Sequence, residues 1–234
     1  MQAGGLTQSS SKARGPGLPP PTLTGREFGH IADFAAPIGR DYHPTMTIDR
    51  LPFTGDAEAD RLLVSDPLAL LIGFVLDQQV PLQKAFSGPL ELGRRIGGLD
   101  ARRIAAMEPE RLDEIFRERP ALHRFPGNMA RRTQELAAAI VERYDGDAAR
   151  IWTEATSARD LHERLLALPG IGPMKAGTLV AILGRQLGVA PAGWEEFAPD
   201  HMTLGDVDSA EKLATYQAGK RAWKAEQRAQ GQKV

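Results

Sequence analysis

Gly170 and Gly172 stand two residues apart in Leu168-Pro169-Gly170-Ile171-Gly172-Pro173-Met174-Lys175-Ala176. The chemistry this spacing offers is anion binding by the main chain. Glycine reaches positive φ without a Cβ clash, so the pair predicts a sharp turn with left-handed backbone at the glycines. Pro173 suits the first position of a following helix, where its missing N–H leaves no bond unmade. The turn's N–H groups and the positive end of that helix then form a pocket for a phosphate-like group. A second polar feature is Gln78-Gln79, which follows an apolar run and precedes Pro81. Its amides donate and accept hydrogen bonds and carry no charge to desolvate.

These residues need helices to position them. Leu161, Leu165, Leu166 and Leu168 precede the glycine turn at helical spacing, and Leu179, Val180, Ile182, Leu183 and Leu187 follow it. Asp66-Pro67 caps a helix over 67–78 that is apolar on nearly every side and therefore central. Pro81 opens another, closed near Ile96 by Gly97-Gly98. Further helices are predicted at about 55–64, 101–106, 109–117, 128–144, 147–154, 158–167 and 173–187. Residues 188–205 read as irregular, and a last helix starts near Asp208, capped by Asp208 with Glu211, and runs to about 229. No run alternates β-branched and polar residues, so the fold class is all-α. Residues 1–45 hold six prolines and seven glycines without periodicity and are predicted to be a disordered extension. Met46, where pattern begins, could be the working start.

Composition narrows the function classes. The chain of 234 residues contains no cysteine, which excludes disulfides, a thiolate nucleophile and a cysteine-ligated iron–sulfur cluster. The five histidines are scattered, without the spacing of a metal site, so no metal and no cofactor is expected. The longest apolar run, Leu68–Leu76, is nine residues, too short for a membrane span. No signal-peptide order, Walker loop, dinucleotide fingerprint or serine elbow is present. Net charge is −1, yet residues 212–234 carry six basic side chains against one acidic one, a helix that could face phosphates.

Leu168–Ala176 is similar to the hairpin "LPGIGxxTA" of the helix-hairpin-helix base-excision DNA glycosylase superfamily (HhH-GPD). Leu76-Asp77-Gln78-Gln79-Val80 resembles that family's "LSQQ(V/I)" segment, and Asn128-Met129-Ala130 resembles its "K-A" helix start with the lysine missing. The resemblance spans roughly residues 56–215. It implies a two-lobed helical fold over 46–234 without an iron–sulfur cluster. One lobe would hold about 55–80 with 166–234, the other about 81–165, with a duplex-DNA cleft between them. It also implies that the amides at Gly170 and Gly172 grip a DNA strand and that Gln78 and Gln79 fill the gap left by an extruded base.

The family hydrolyses the bond between a base and C1′ of deoxyribose. A carboxylate stabilises the oxocarbenium-like transition state, placed by a "VD" dipeptide at a helix start. Val207-Asp208 matches the dipeptide, Asp206 is the alternative, and Asp200 lies nearby. A chain with no catalytic aspartate would be an inactive DNA-binding protein. The lysine that forms a Schiff base in bifunctional members falls in register with Met174. Lys175 is about 100° further round the helix and is expected to point at phosphate or solvent. The implied enzyme is therefore a monofunctional glycosylase, a monomer in the cytoplasm associated with the nucleoid. Trp194 and Phe197 are candidates for stacking on the extruded base, with anchoring of their loop onto the core as the alternative. A helical protein–protein module is the third reading.

Overall fold

The computed structural model describes residues 48–231 and Met1. The expectations for residues 1–45 and for Met46 therefore lie outside the described residues. The chain is all-α, with no strand among the described residues. Its helices are α1 (Ala57–Ser65), α2 (Pro67–Leu76), α3 (Leu82–Ile96), α4 (Ala101–Ala106), α5 (Pro109–Arg117), α6 (Pro126–Tyr144), α7 (Arg150–Thr153), α8 (Ala158–Leu166), α9 (Pro173–Arg185) and α10 (Ala210–Ala229). Two 3₁₀ turns, Trp194–Phe197 and Leu204–Asp206, interrupt the segment between α9 and α10. No helix among the described residues is long and apolar enough to cross a membrane.

Helix starts follow local chemistry. The side chains of Asp56, Asp66, Asp100, Ser157 and Ser209 each accept a backbone N–H in the first turn of their helices. The last of these corrects the expected cap of α10. Ser209 accepts from Lys212 N, so the helix begins at Ala210 and Asp208 stands outside it.

α2 is the axis of the fold. Leu68–Leu76 are all buried, and the helix contacts α1, α3 and α6. Gly73 makes room for Phe86 of α3; a Cβ there would lie 2.6 Å from the ring. Phe86 meets Phe53 and Phe74 edge-on, with centroids 5.3 and 5.2 Å away. α3 therefore packs mainly with α1 and α2, and touches α5 among the helices that follow it through Arg95, which donates to Ile115 O. α4 and α5 pack on α6, and α8 packs on α9 through the buried Leu161 and Leu165. The expected division at residues 81 and 165 thus cuts across two packed pairs, α2 with α3 and α8 with α9. The apolar core runs continuously from Leu51 to Leu213.

Candidate nucleic-acid interface

α8, a six-residue turn and the N-terminus of α9 build the hairpin. Leu165, Leu168, Ile171 and Ala176 are buried beneath it and fix its position. The two glycines act differently, which corrects the expectation of positive φ at both. Gly170 takes φ +81°, and a Cβ there would sit 3.2 Å from Val75 Cγ2 on α2. Gly172 is the N-cap of α9 in extended backbone, φ −90° and ψ 179°, and faces open space. No side chain caps α9. The N–H groups of Gly170, Gly172, Met174 and Lys175 find no acceptor among the described residues. Gly170, Gly172 and Met174 are exposed. An uncapped, solvent-facing helix N-terminus of this kind carries partial positive charge toward an incoming anion.

The turn is docked on the C-terminal end of α2, where the glutamine pair begins. Lys175 makes the tie: its ammonium donates to Phe74 O at 2.5 Å. This overturns the expectation that Lys175 points at phosphate or solvent. The last carbonyls of α2 have no intrahelical partner; Phe74 O takes the amine, while Val75 O and Leu76 O accept from Gln78 Nε2 and Gln78 N. Burial pushes the Lys175 pKa down, with Arg132 and Lys220 adding to the effect and Asp77 opposing it.

The two glutamines also part company. Gln78 turns inward, its Nε2 donating to Val75 O at 2.9 Å while its Oε1 accepts from Arg132 Nη1 at 2.9 Å. Gln79 is exposed at φ +57°, a left-handed conformation that costs a side-chain-bearing residue about 1–2 kcal/mol. His123 supports that segment from below. Its Nδ1 accepts from Phe125 N at 3.1 Å, so the ring proton resides on Nε2, which donates to Gln78 O at 3.0 Å.

His123 is 2% exposed, and burial pushes its pKa below the ordinary histidine value, against the hydrogen bond to Gln78. Below about pH 6.5 the unfolded chain binds a proton that the folded chain refuses, so stability is full above that pH and falls as pH drops toward the folded value. Denaturant midpoints are therefore expected to fall between pH 7.5 and pH 5.5 more steeply in the wild type than in His123→Gln. Equal slopes would remove His123 from this role.

A groove of about 260 Å³ opens between the α2–α3 connection and α10. Asp77 and Gln83 lie on one wall, and Tyr216, Lys220, Arg221 and Lys224 on the other. The basic helix noted in the sequence thus turns toward the glutamine segment. Sequence reasoning passed over Asp77, whose only signal was its place directly before the glutamine pair.

The other predicted residues lie elsewhere. Asp206 closes a capping box, its Oδ2 accepting from Thr203 N at 2.8 Å, and its Oδ1 pairs with the Arg185 guanidinium. Arg185 is the last residue of α9, about 18 Å along the axis from Pro173 at 1.5 Å per residue. Asp208 is half exposed and paired with Lys212, which holds its carboxyl below the usual range. Asp200 is exposed beside His201. Trp194 lies over Gly184, where a Cβ would meet its ring at 2.6 Å. Phe197 stacks on His162 at 5.0 Å, with Arg159 above its ring. Both aromatics anchor the 188–205 segment to α8 and α9, the alternative role that the sequence offers them, and neither lines the groove.

Among the described residues no group of three or more histidines and carboxylates is placed to hold a metal ion. No family model matches the chain, no curated protein does, and no solved structure does.

Proposed function

We propose that the protein is a monofunctional DNA glycosylase that binds duplex DNA, extrudes a damaged or mismatched base and hydrolyses its bond to C1′. One observation carries this reading. The unsatisfied N–H groups of the Gly170–Lys175 turn abut the segment that presents Gln79, although about ninety residues separate them in sequence. A backbone grip beside an exposed amide on a strained turn suits a protein that holds a strand and pushes into the stack. Lys220, Arg221 and Lys224 add cations on the adjoining groove wall. The engaged amine of Lys175 supports the absence of lyase chemistry. The reading keeps the protein a monomer acting at the nucleoid, without a cofactor.

The test is base release from duplexes carrying alkylated, oxidised, deaminated or mismatched bases, with borohydride added to trap any imine. Free base and no covalent adduct are expected. An adduct lost in Lys175→Ala would overturn the monofunctional assignment.

A second reading is an inactive DNA-binding protein that keeps the hairpin. It is favoured by the ion pairs that occupy both Asp206 and Asp208. It predicts salt-dependent duplex affinity without base release, whereas a protein–protein module predicts no such affinity.

A further inference from the structure

We propose that Asp77, rather than Asp206 or Asp208, is the carboxylate that faces C1′ of the extruded nucleotide, with the groove between the α2–α3 connection and α10 as the nucleotide's seat. This assignment rests on the DNA glycosylase reading above.

Three observations converge on Asp77. It lines the groove, and two residues on the chain presents the exposed Gln79. Its carboxylate enters no hydrogen bond or ion pair among the described residues, whereas Asp206 and Asp208 are each bound to a cation. It is also the C-cap of α2. A carboxylate at that end of a helix sits in the negative field of the terminal carbonyls, which the Lys175 ammonium on Phe74 O and the Gln78 amide on Val75 O meet in part. Among the residues lining the groove, which include Lys220, Arg221 and Lys224, Asp77 is the one acidic side chain, so a positive charge developing beside it meets the field of its carboxylate. Lys175 occupies one of the terminal carbonyls and docks the hairpin turn against α2, so a strand held by the turn's amides lies beside Asp77.

That field suits the charge developing at C1′ as the base departs. Water oxygen bonds to C1′, and the C1′–N bond breaks with its electron pair leaving on the base. The proton lost by water passes through Asp77 to the departing nitrogen. The products are the C1′-hydroxyl sugar and the neutral base, so no oxidant or co-reactant is needed.

The test compares two duplexes that differ only in one abasic mimic: a pyrrolidine, cationic where C1′ develops charge, and a neutral tetrahydrofuran. Wild type is expected to bind the cationic duplex at least tenfold more tightly. Asp77→Asn, which keeps size and suits a helix C-cap, is expected to bind both within twofold, while Asp208→Asn keeps the preference. A preference that survives in Asp77→Asn, that disappears in Asp208→Asn, or that is absent from a wild type still binding both duplexes overturns the assignment and leaves DNA binding intact. Failure to bind either duplex overturns the DNA reading and the assignment with it.

Discussion

Gly172→Asp is expected to weaken duplex binding at least tenfold while leaving the melting temperature unchanged or slightly raised. Gly172 already has the extended backbone of an N-cap, and nothing lies within 4 Å of a Cβ built on it. The new carboxylate can therefore accept from the free N–H of Met174 or Lys175, the two positions an N-cap side chain reaches. Asp at an N-cap is worth a few tenths of a kcal/mol over Gly, so the fold gains slightly. The same amides are then closed to a phosphate, and a like charge stands in front of them. Two negative charges about 4 Å apart repel by about 1 kcal/mol in water and about 4 kcal/mol near a protein surface. A tenfold loss needs only about 1.4 kcal/mol. Fluorescence anisotropy at fixed salt measures the affinity, and a melting curve reports the fold. Unaltered affinity in a folded Gly172→Asp protein would mean that DNA does not use this turn.

Gly205→Ala carries the largest expected cost to stability, about 3 kcal/mol. A Cβ at Gly205 would lie 2.5 Å from Ala181 Cβ and 2.8 Å from the Ala181 carbonyl carbon. Ala181 is fully buried on α9, so the obstacle is helix backbone in the core rather than the far end of a side chain. Gly205 is itself tied in place. Its N–H donates to Thr203 Oγ1 at 3.1 Å, and Gln186 Nε2 donates to the carbonyl of the neighbouring Leu204 at 2.8 Å. Relief requires the whole 203–207 turn to lift from α9, which also strains the Asp206–Arg185 pair. In a domain of this size the loss corresponds to a melting temperature lower by about 6–12 °C. A fall of less than about 2 °C by calorimetry would show that α9 and the turn separate easily. The groove is lined by the α2–α3 connection, the start of α3 and α10, so DNA binding well below the transition is expected to persist.

The two variants probe features that differ in how far the chain announces them. The hairpin is written locally. Leucines at helical spacing, a glycine at the left-handed position and a proline at the first helical position all act within a few residues. The buried α2 is equally plain, because nine apolar residues behind an Asp-Pro cap leave it no exposed face. Side-chain direction is another matter. Which way Lys175 points depends on the end of α2 lying beside it, 101 residues away in sequence. Gln78 and Gln79 are neighbours of one type, yet Arg132 and His123 draw one inward and leave the other in solvent. Val207-Asp208 looked like a catalytic dipeptide, but Ser209 takes the cap and Lys212 takes the carboxylate.

The chain's own pattern of apolar periodicity, caps and breakers determines the all-helical class, the order of the helices and the glycine turn, since each depends on contacts within one or two turns of backbone. Only the packing of α2 against the hairpin and of α10 across the α2–α3 connection decides which polar groups share a surface. That packing leaves Asp77 without a partner on a groove and ties Asp206 to Arg185 at the far end of α9. The reason is physical: a charge's partner is set by distance through space, and two helices far apart in sequence meet wherever their apolar faces fit.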